Sequence, residues 1–308
     1  MFDDALTLPS FAKINWALHV LGRRPDNYHE LRTIFQTVTL HDRLQIRLCA
    51  GERIDIECDA REAIPVDESN LIYRAAVALK KRYGIRKGVG FRLEKRIPAG
   101  GGLGGGSSNA AMALVGLAHL WRIETSIGEL AELGAGLGAD VPFFFTGGTA
   151  QGEGLGTKVL PLADVAETHL LIVTPGVRVL TADAYKALSA PALTKANGDI
   201  ILSISRADAQ FPDLLPYYLH NDFERVVLRL EPEIERAKMA LGLAGARLSL
   251  LAGSGASVFG IFDNREAQER AASMLSLEKG WQVFSCKTLG RDAYREALGP
   301  CGSLLERM

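Results

Sequence analysis

The chain has 308 residues, 47% apolar and 23% charged, with 35 Lys plus Arg against 36 Asp plus Glu and a net charge of −1. This is ordinary globular chemistry, long enough for a sizeable core and for two domains. Near-neutrality argues against a polyanion such as nucleic acid as the main ligand.

FAKINWALHV (residues 11–20) alternates. Phe11, Lys13, Asn15 and Ala17 fall on one face and Ala12, Ile14, Trp16 and Leu18 on the other, which predicts a strand. The turn signal RRPDNYH leads to a second strand, ELRTIFQTVTL (30–40). RLQIRLC and RIDIEC read as a strand pair around Ala50-Gly51. Ser69 or Asn70 caps a helix to about Tyr83, its inner face Leu71, Ala75, Ala78 and Leu79. VGFRLEKRI alternates again and stops at Pro98, followed by the glycine run at 100–106.

From Ser107 or Ser108 a helix runs to Trp121 with Ala110, Leu114, Leu117, Ala118 and Trp121 as its stripe. A further helix near Ile127–Leu133 ends in GAGLGAD. Past Pro161 the pattern restarts with strand HLLIVTP, helix ADAYKAL and a polar, proline-bearing connection to about Pro216. Then come helices NDFERVVLRL and EIERAKMALGL, strands RLSLLAG and SVFGIF, a helix near Glu266–Leu275 and strand WQVFSCKTL. This mixture without regular βαβ alternation favours an α+β fold, divided near Pro161 into domains 1–161 and 162–308.

The opening MFDDALTLPS lacks a signal-peptide layout, and no apolar run reaches membrane-spanning length. Cys49, Cys58, Cys286 and Cys301 form neither a CxxC pair nor a Cys/His cluster, so no metal ligand set is assigned. A reduced, cytoplasmic protein without membrane or nucleic-acid partners is the expectation, as a monomer or weak homodimer.

Three glycine-rich stretches carry the chemistry. In PAGGGLGGGSSNAA (98–111), Gly100, Gly102 and Gly105 satisfy GxGxxG, but the preceding strand alternates charged and apolar residues, unlike a dinucleotide-binding strand. No Gly-Lys-Ser/Thr closes the loop as in a Walker A motif. Glycines that let backbone N–H groups approach a ligand, followed by a helix N-terminus, make a phosphate cradle. In GAGLGADVPFFFTGG (134–148), Asp140 could orient or deprotonate a hydroxyl, or simply satisfy a turn N–H. In LLAGSGASVFG (250–260), taken alone, a hairpin turn explains Gly253, Ser254 and Gly255 better than a second ligand loop does. Lys13 on an inward strand face calls for an anion. With the cradle and Asp140 it makes the parts of a phosphoryl-transfer site.

AKIN (12–15), PAGGGLGGGSSNAA (98–111) and GSGAS (253–257) resemble the three motifs of the GHMP kinases, the superfamily of galactokinase, homoserine, mevalonate and phosphomevalonate kinases. FAKINWALHVLGRRPDNYHELRTIFQTVTLHDRL, GADVPFF, TPG and LHNDFE are similar to the members that phosphorylate 4-diphosphocytidyl-2-C-methyl-D-erythritol. The resemblance implies a ribosomal protein S5 domain 2-like N-terminal domain, a ferredoxin-like C-terminal domain and an active-site cleft between them. The last strand, near Phe284–Leu289, is a candidate to return to the first domain.

The implied reaction is ATP- and Mg2+-dependent phosphorylation of the 2-hydroxyl of that cytidine diphosphate sugar alcohol, in the non-mevalonate isoprenoid pathway. Another small alcohol, homoserine or mevalonate, is the alternative. Asp140 and Lys13 would be the catalytic pair. Pro98, Gly100, Gly101, Gly102, Leu103, Gly104, Gly105, Gly106, Ser107 and Ser108 would hold the ATP phosphates, with Asn70 and Lys95 bordering the adenine. Tyr28, His29 and Tyr185 would clamp the cytosine, Asn15 would reach the substrate, and Gly253, Ser254, Gly255 and Ala256 would close on its diphosphate. Two positions depart from the family pattern: Asn27 stands where glycine is usual, and Thr157 where an acidic residue is common.

Overall fold

The structure, a computed structural model, describes residues 5–61, 64–193 and 219–305. Most of the polar connection expected up to Pro216 lies outside the described residues. Two long antiparallel strands, β1 (Leu6–Arg23) and β2 (His29–Cys49), form the spine of the first sheet. Both run past their expected ends. Ile14 and Trp16 on one face of β1 meet the second sheet, where Trp16 packs edge-on against Phe259 at 5.7 Å. Lys13 and Asn15 are left to the other face. Burying each such apolar side chain contributes about 1.5–3 kcal/mol.

The expected hairpin of RLQIRLC with RIDIEC does not form. β2 continues through His41–Asp42, with a register shift against β1 between Phe11 and Ala12. RIDIEC becomes β3 (Ile54–Ala60), α1 (Leu71–Tyr83) crosses over, and β4 (Gly88–Lys95) lies between β3 and the second half of β2. β3 and β4 are parallel, which requires such a crossover. Asp42 is buried in the middle of this strand, and a buried carboxylate is costly. It is tolerated because it accepts from Arg96 N (2.7 Å), Ile97 N (2.8 Å) and Asn109 Nδ2 (2.9 Å), and pairs with Lys95 Nζ (2.7 Å). Asn70 caps α1, whose buried face is Ile72, Ala75, Ala76 and Leu79 and so is rotated slightly from the expected one.

The helix after the glycine run, α2 (Gly105–Leu120), starts earlier than its serines suggested. Its cap is Gly104, in left-handed conformation, with no side-chain bond. Every residue from Ser108 to Ala118 is buried, because α2 is enclosed by β1, β2, α1 and α3 (Ile127–Ala135). An enclosed helix is apolar all round and shows no stripe. Ser126 and Glu129 form a capping box at the start of α3. The sequence reading missed α4 (Phe143–Thr146), β5 (Thr149–Gly154) and β6 (Lys158–Pro161); β5 pairs with β2 although TAQGEG has no strand alternation.

β7 (His169–Thr174) opens the second sheet and α5 (Thr181–Leu188) follows it. The segment read as one helix from Asn221 divides. β8 (His220–Asn221) adds parallel to β1, and α6 (Glu224–Leu230) starts three residues later. Next come α7 (Pro232–Leu243), β9 (Leu248–Leu251), β10 (Val258–Phe262), α8 (Arg265–Leu275) and β11 (Gln282–Lys287). The second sheet has the antiparallel order β11-β7-β10-β9. β11 itself stays in this sheet. The chain beyond it returns: Thr288 bridges to Val38, then α9 (Arg291–Ala297) and a 3-10 turn (Gly299–Leu305) bury Tyr294, Leu298, Cys301 and Leu305 in the first core. Among the described residues no helix is long and apolar enough to cross a membrane.

Candidate active site

β1 carries Lys13 almost wholly enclosed, its side chain 4% exposed. A buried ammonium needs partners. Lys13 Nζ donates to Asn15 Oδ1 at 2.9 Å and meets Asp140 Oδ2 at 3.2 Å. Asn15 Nδ2 donates to Thr33 Oγ1 (2.6 Å), which donates to Ala17 O (2.7 Å). This chain fixes the amide and, through it, the ammonium. Asp140 sits in the turn after α3, just before Pro142, and its side chain is one-third exposed to the cavity.

The glycine loop is locked between β1 and the turn at 252–257. Lys13 N donates to Leu103 O at 2.9 Å, while Ala256 N and Ser257 N donate to Gly100 O and Gly101 O at 3.3 and 3.1 Å. Gly100, Gly102 and Gly104 have φ near +70°, the left-handed region that favours glycine. A Cβ on Gly102 would run into Ala252 O, and one on Gly104 would meet Lys13 Cγ and Phe144 Cζ. The glycines thus let two backbones and a lysine stem converge on the N-terminus of α2.

Two cavities meet at this loop. The larger, about 850 Å³, is lined by Lys13, Asn15, Tyr28, His29, Asp140, Tyr185, Gly253 and Ser254, and reaches Gly102, Gly104 and Ser107. The smaller, about 350 Å³, is lined by Asn70, Lys95, Pro98, Gly100 to Gly106 and Ser107. Asn70 Oδ1 is engaged in capping α1, and Lys95 is held by Asp42 and by Ile97 O. Burial lowers the Lys95 pKa, with the Asp42 charge opposing it. Lys95 is not on an edge strand, since β3 lies outside it. Ser108 lines neither cavity; its hydroxyl is buried without a partner. Gly255 and Ala256 also stand back from the larger cavity, their N–H groups given to Ala252 O and Gly100 O.

At the far end of the larger cavity, the His29 and Tyr185 rings stack at 4.8 Å and 26°, and Phe223 meets Tyr185 edge-on at 4.8 Å. Tyr28 is 63% exposed beside them. Asn27 takes a left-handed φ of 67°, so the turn keeps the backbone shape that glycine would give it. Burial, then the Arg23 charge, lowers the His29 pKa below its ordinary value. Burial, then the Asp140 charge, pushes the Tyr185 phenol well above its own. Both rings are therefore neutral near pH 7.

Thr33, Phe35, Thr181 and Phe223 also line the larger cavity, and the sequence reading did not single them out. Asn221 was missed as well. Its Nδ2 donates to Leu251 O and Gly253 O, both at 2.8 Å, and its Oδ1 accepts from Phe223 N. For Thr33 and Phe35 the period-2 spacing on β2 was an available signal. Asn221 lies within LHNDFE, one of the motifs of the family resemblance, but no alternation or spacing marked its supporting role.

Residues 70–148 match the GHMP kinases N terminal domain, and residues 205–279 match the GHMP kinases C terminal domain. A 4-diphosphocytidyl-2-C-methyl-D-erythritol kinase of Thermodesulfovibrio yellowstonii is 42% identical over 271 residues, covering 86% of this chain and 93% of that protein. One of Syntrophotalea carbinolica is 40% identical over 274 residues, covering 89% and 95%. A crystal structure of a 4-(cytidine 5'-diphospho)-2C-methyl-D-erythritol kinase superposes with a TM-score of 0.74 at 33% identity, covering 92% of this chain and all of that one. The chain belongs to the GHMP kinases and, within them, to the 4-diphosphocytidyl-2-C-methyl-D-erythritol kinase family.

Proposed function

We propose that this protein transfers the γ-phosphoryl group of ATP to the 2-hydroxyl of 4-diphosphocytidyl-2-C-methyl-D-erythritol, releasing ADP. The observation that carries the reading is one cavity holding the Lys13–Asp140 pair, the phosphate-cradling loop and an aromatic set far larger than a small aliphatic alcohol needs.

ATP would lie in the smaller cavity with its phosphates along Gly100–Ser107, at the positive end of the α2 dipole. Substrate would fill the larger cavity, its cytosine among Tyr28, His29 and Tyr185 and its diphosphate toward Gly253 and Ser254. Asp140 accepts the hydrogen bond of the attacking hydroxyl and turns its oxygen toward the γ-phosphorus. Lys13 holds that carboxylate in place through the ion pair and offsets negative charge gathering on the transferring group.

Mg2+ would accompany the nucleotide and supplies charge neutralisation across the phosphate oxygens. Ser107 and Asp140 are oxygen donors of the kind it prefers, and both line the cavity beside Gly102 and Gly104. We divide the chain at Pro161 into domains 1–161 and 162–308, with 288–305 returning to the first.

Purified protein with ATP, Mg2+ and the cytidine substrate should yield ADP and the 2-phosphate, and cytidine diphosphate should compete with the substrate. Turnover of homoserine or mevalonate at equal or higher kcat/KM would replace this reading with the small-alcohol one.

A further inference from the structure

Outside the cavity, the parallel pairing of β8 with β1 assembles a second group of ligating side chains. The register sets Ala17 against His220 and Leu18 against Asn221, and Asp222 N donates to Leu18 O. His220 and Asp222 are two residues apart and so share a face. His19 comes next along β1 on the same side. Its ring stacks on that of His220 at 4.8 Å and 13°, and His220 Nε2 meets Asp222 Oδ1 at 2.9 Å. One ligand atom from each residue lies within 4.8 Å of the others. The second carboxylate oxygen, Asp222 Oδ2, accepts from Val20 N at 2.7 Å and so orients the group from behind.

The geometry points to a transition-metal site, best suited to Zn2+, formed by His19, His220 and Asp222. Two imidazoles and a carboxylate are a borderline-soft donor set that favours Zn2+ over Mg2+. A tetrahedral centre at about 2.0–2.1 Å separates its donors by roughly 3.3 Å, so binding would draw these ligand atoms, now within 4.8 Å of one another, closer together. The fourth position opens to solvent past the exposed His220. Arg32 faces His19 across the β1–β2 pair, but its guanidinium is held by Glu153 at 3.2 Å, which is itself bound by Lys158.

The site lies on both sides of Asn221, which holds Gly253 and Phe223 at the cavity. A bound ion would staple β8 to β1 and stiffen that support. The inference does not rest on which alcohol is phosphorylated.

Metal-stripped full-length protein is titrated with Zn2+ by calorimetry and with Co2+ by visible absorption. One equivalent should bind, and Co2+ should give tetrahedral d–d bands without the sulfur charge transfer of cysteine ligation. Melting temperature should rise with Zn2+. His19→Ala and His220→Ala should each weaken binding by more than the roughly 10–100-fold that loss of an outer-shell partner costs, whereas Asp140→Asn should not. His19→Gln, checked for parental circular dichroism, serves if either alanine variant misfolds. Unchanged affinity in the histidine variants, sulfur charge transfer, or no saturable binding below about 100 μM overturns the assignment.

Discussion

Replacing Gly102 with alanine tests whether the turn at 252–257 holds the phosphate loop in place. Gly102 has φ +76°, where a β-carbon costs about 1–2 kcal/mol. The added methyl would run into Ala252 O and lie 3.0 Å from Gly255 O. Both obstacles are backbone atoms and cannot swing aside, so loop and turn must part. Parting breaks the Ala256–Gly100 and Ser257–Gly101 hydrogen bonds, each contributing about 0.5–1.5 kcal/mol. The total loss is about 2–5 kcal/mol, or a fall in Tm of roughly 5–15 °C.

A loop displaced by about 1 Å also misplaces the γ-phosphoryl group and should lower kcat/KM for ATP about a hundredfold. Gly106→Ala is the comparison. Its methyl would meet only Leu71 Cδ1 at an ordinary 3.6 Å, and alanine is the better helix former by up to about 1 kcal/mol. That variant should melt at or above the parent temperature. The readouts are thermal melting by circular dichroism and steady-state kinetics with ATP varied. A Gly102→Ala protein that melts with the parent and keeps its kcat/KM refutes the reasoning.

Asp140→Asn should lower turnover about 10²–10⁴-fold while ATP still binds, measured by steady-state rates and nucleotide titration; equal loss of both would make Asp140 a structural residue. Asp42→Asn strips the buried Lys95 of its counter-charge and should cost about 3–5 kcal/mol in urea unfolding; a loss below about 1 kcal/mol would mean the pair is not desolvated. The folded-state pKa of His29 lies below the ordinary 6.5. Between those values the unfolded chain binds the extra proton, so the stability contribution of this group is present above 6.5 and lost as pH falls through the window. The neutral ring faces the cavity, so kcat/KM for the cytidine substrate should decline on the acid side of that window. His29→Gln should remove the acid limb, and a limb that persists belongs to another group.

Much of this protein was legible locally. Alternation around Lys13 and Asn15 exposes β1, because strand side chains must repeat every two residues. A glycine run ending at a helix N-terminus announces an anion cradle, because only glycine allows both the left-handed turns and the close approach. Motif resemblance then narrowed the activity.

Tertiary structure decided the rest. Residues 30–40 and 43–49 read as separate strands, yet four donors from β4, the residues after it and α2 make Asp42 tolerable in the middle of one continuous β2. The GSGAS turn, taken alone, read as a hairpin, and its hold on the glycine loop depends on backbone atoms some 150 residues away. Asn221 and the His19, His220, Asp222 group exist only because β8 lands in parallel on β1. Local patterns record what each segment needs from its own geometry. Contacts between distant segments are set when the sheets pack, and no neighbouring residue encodes them.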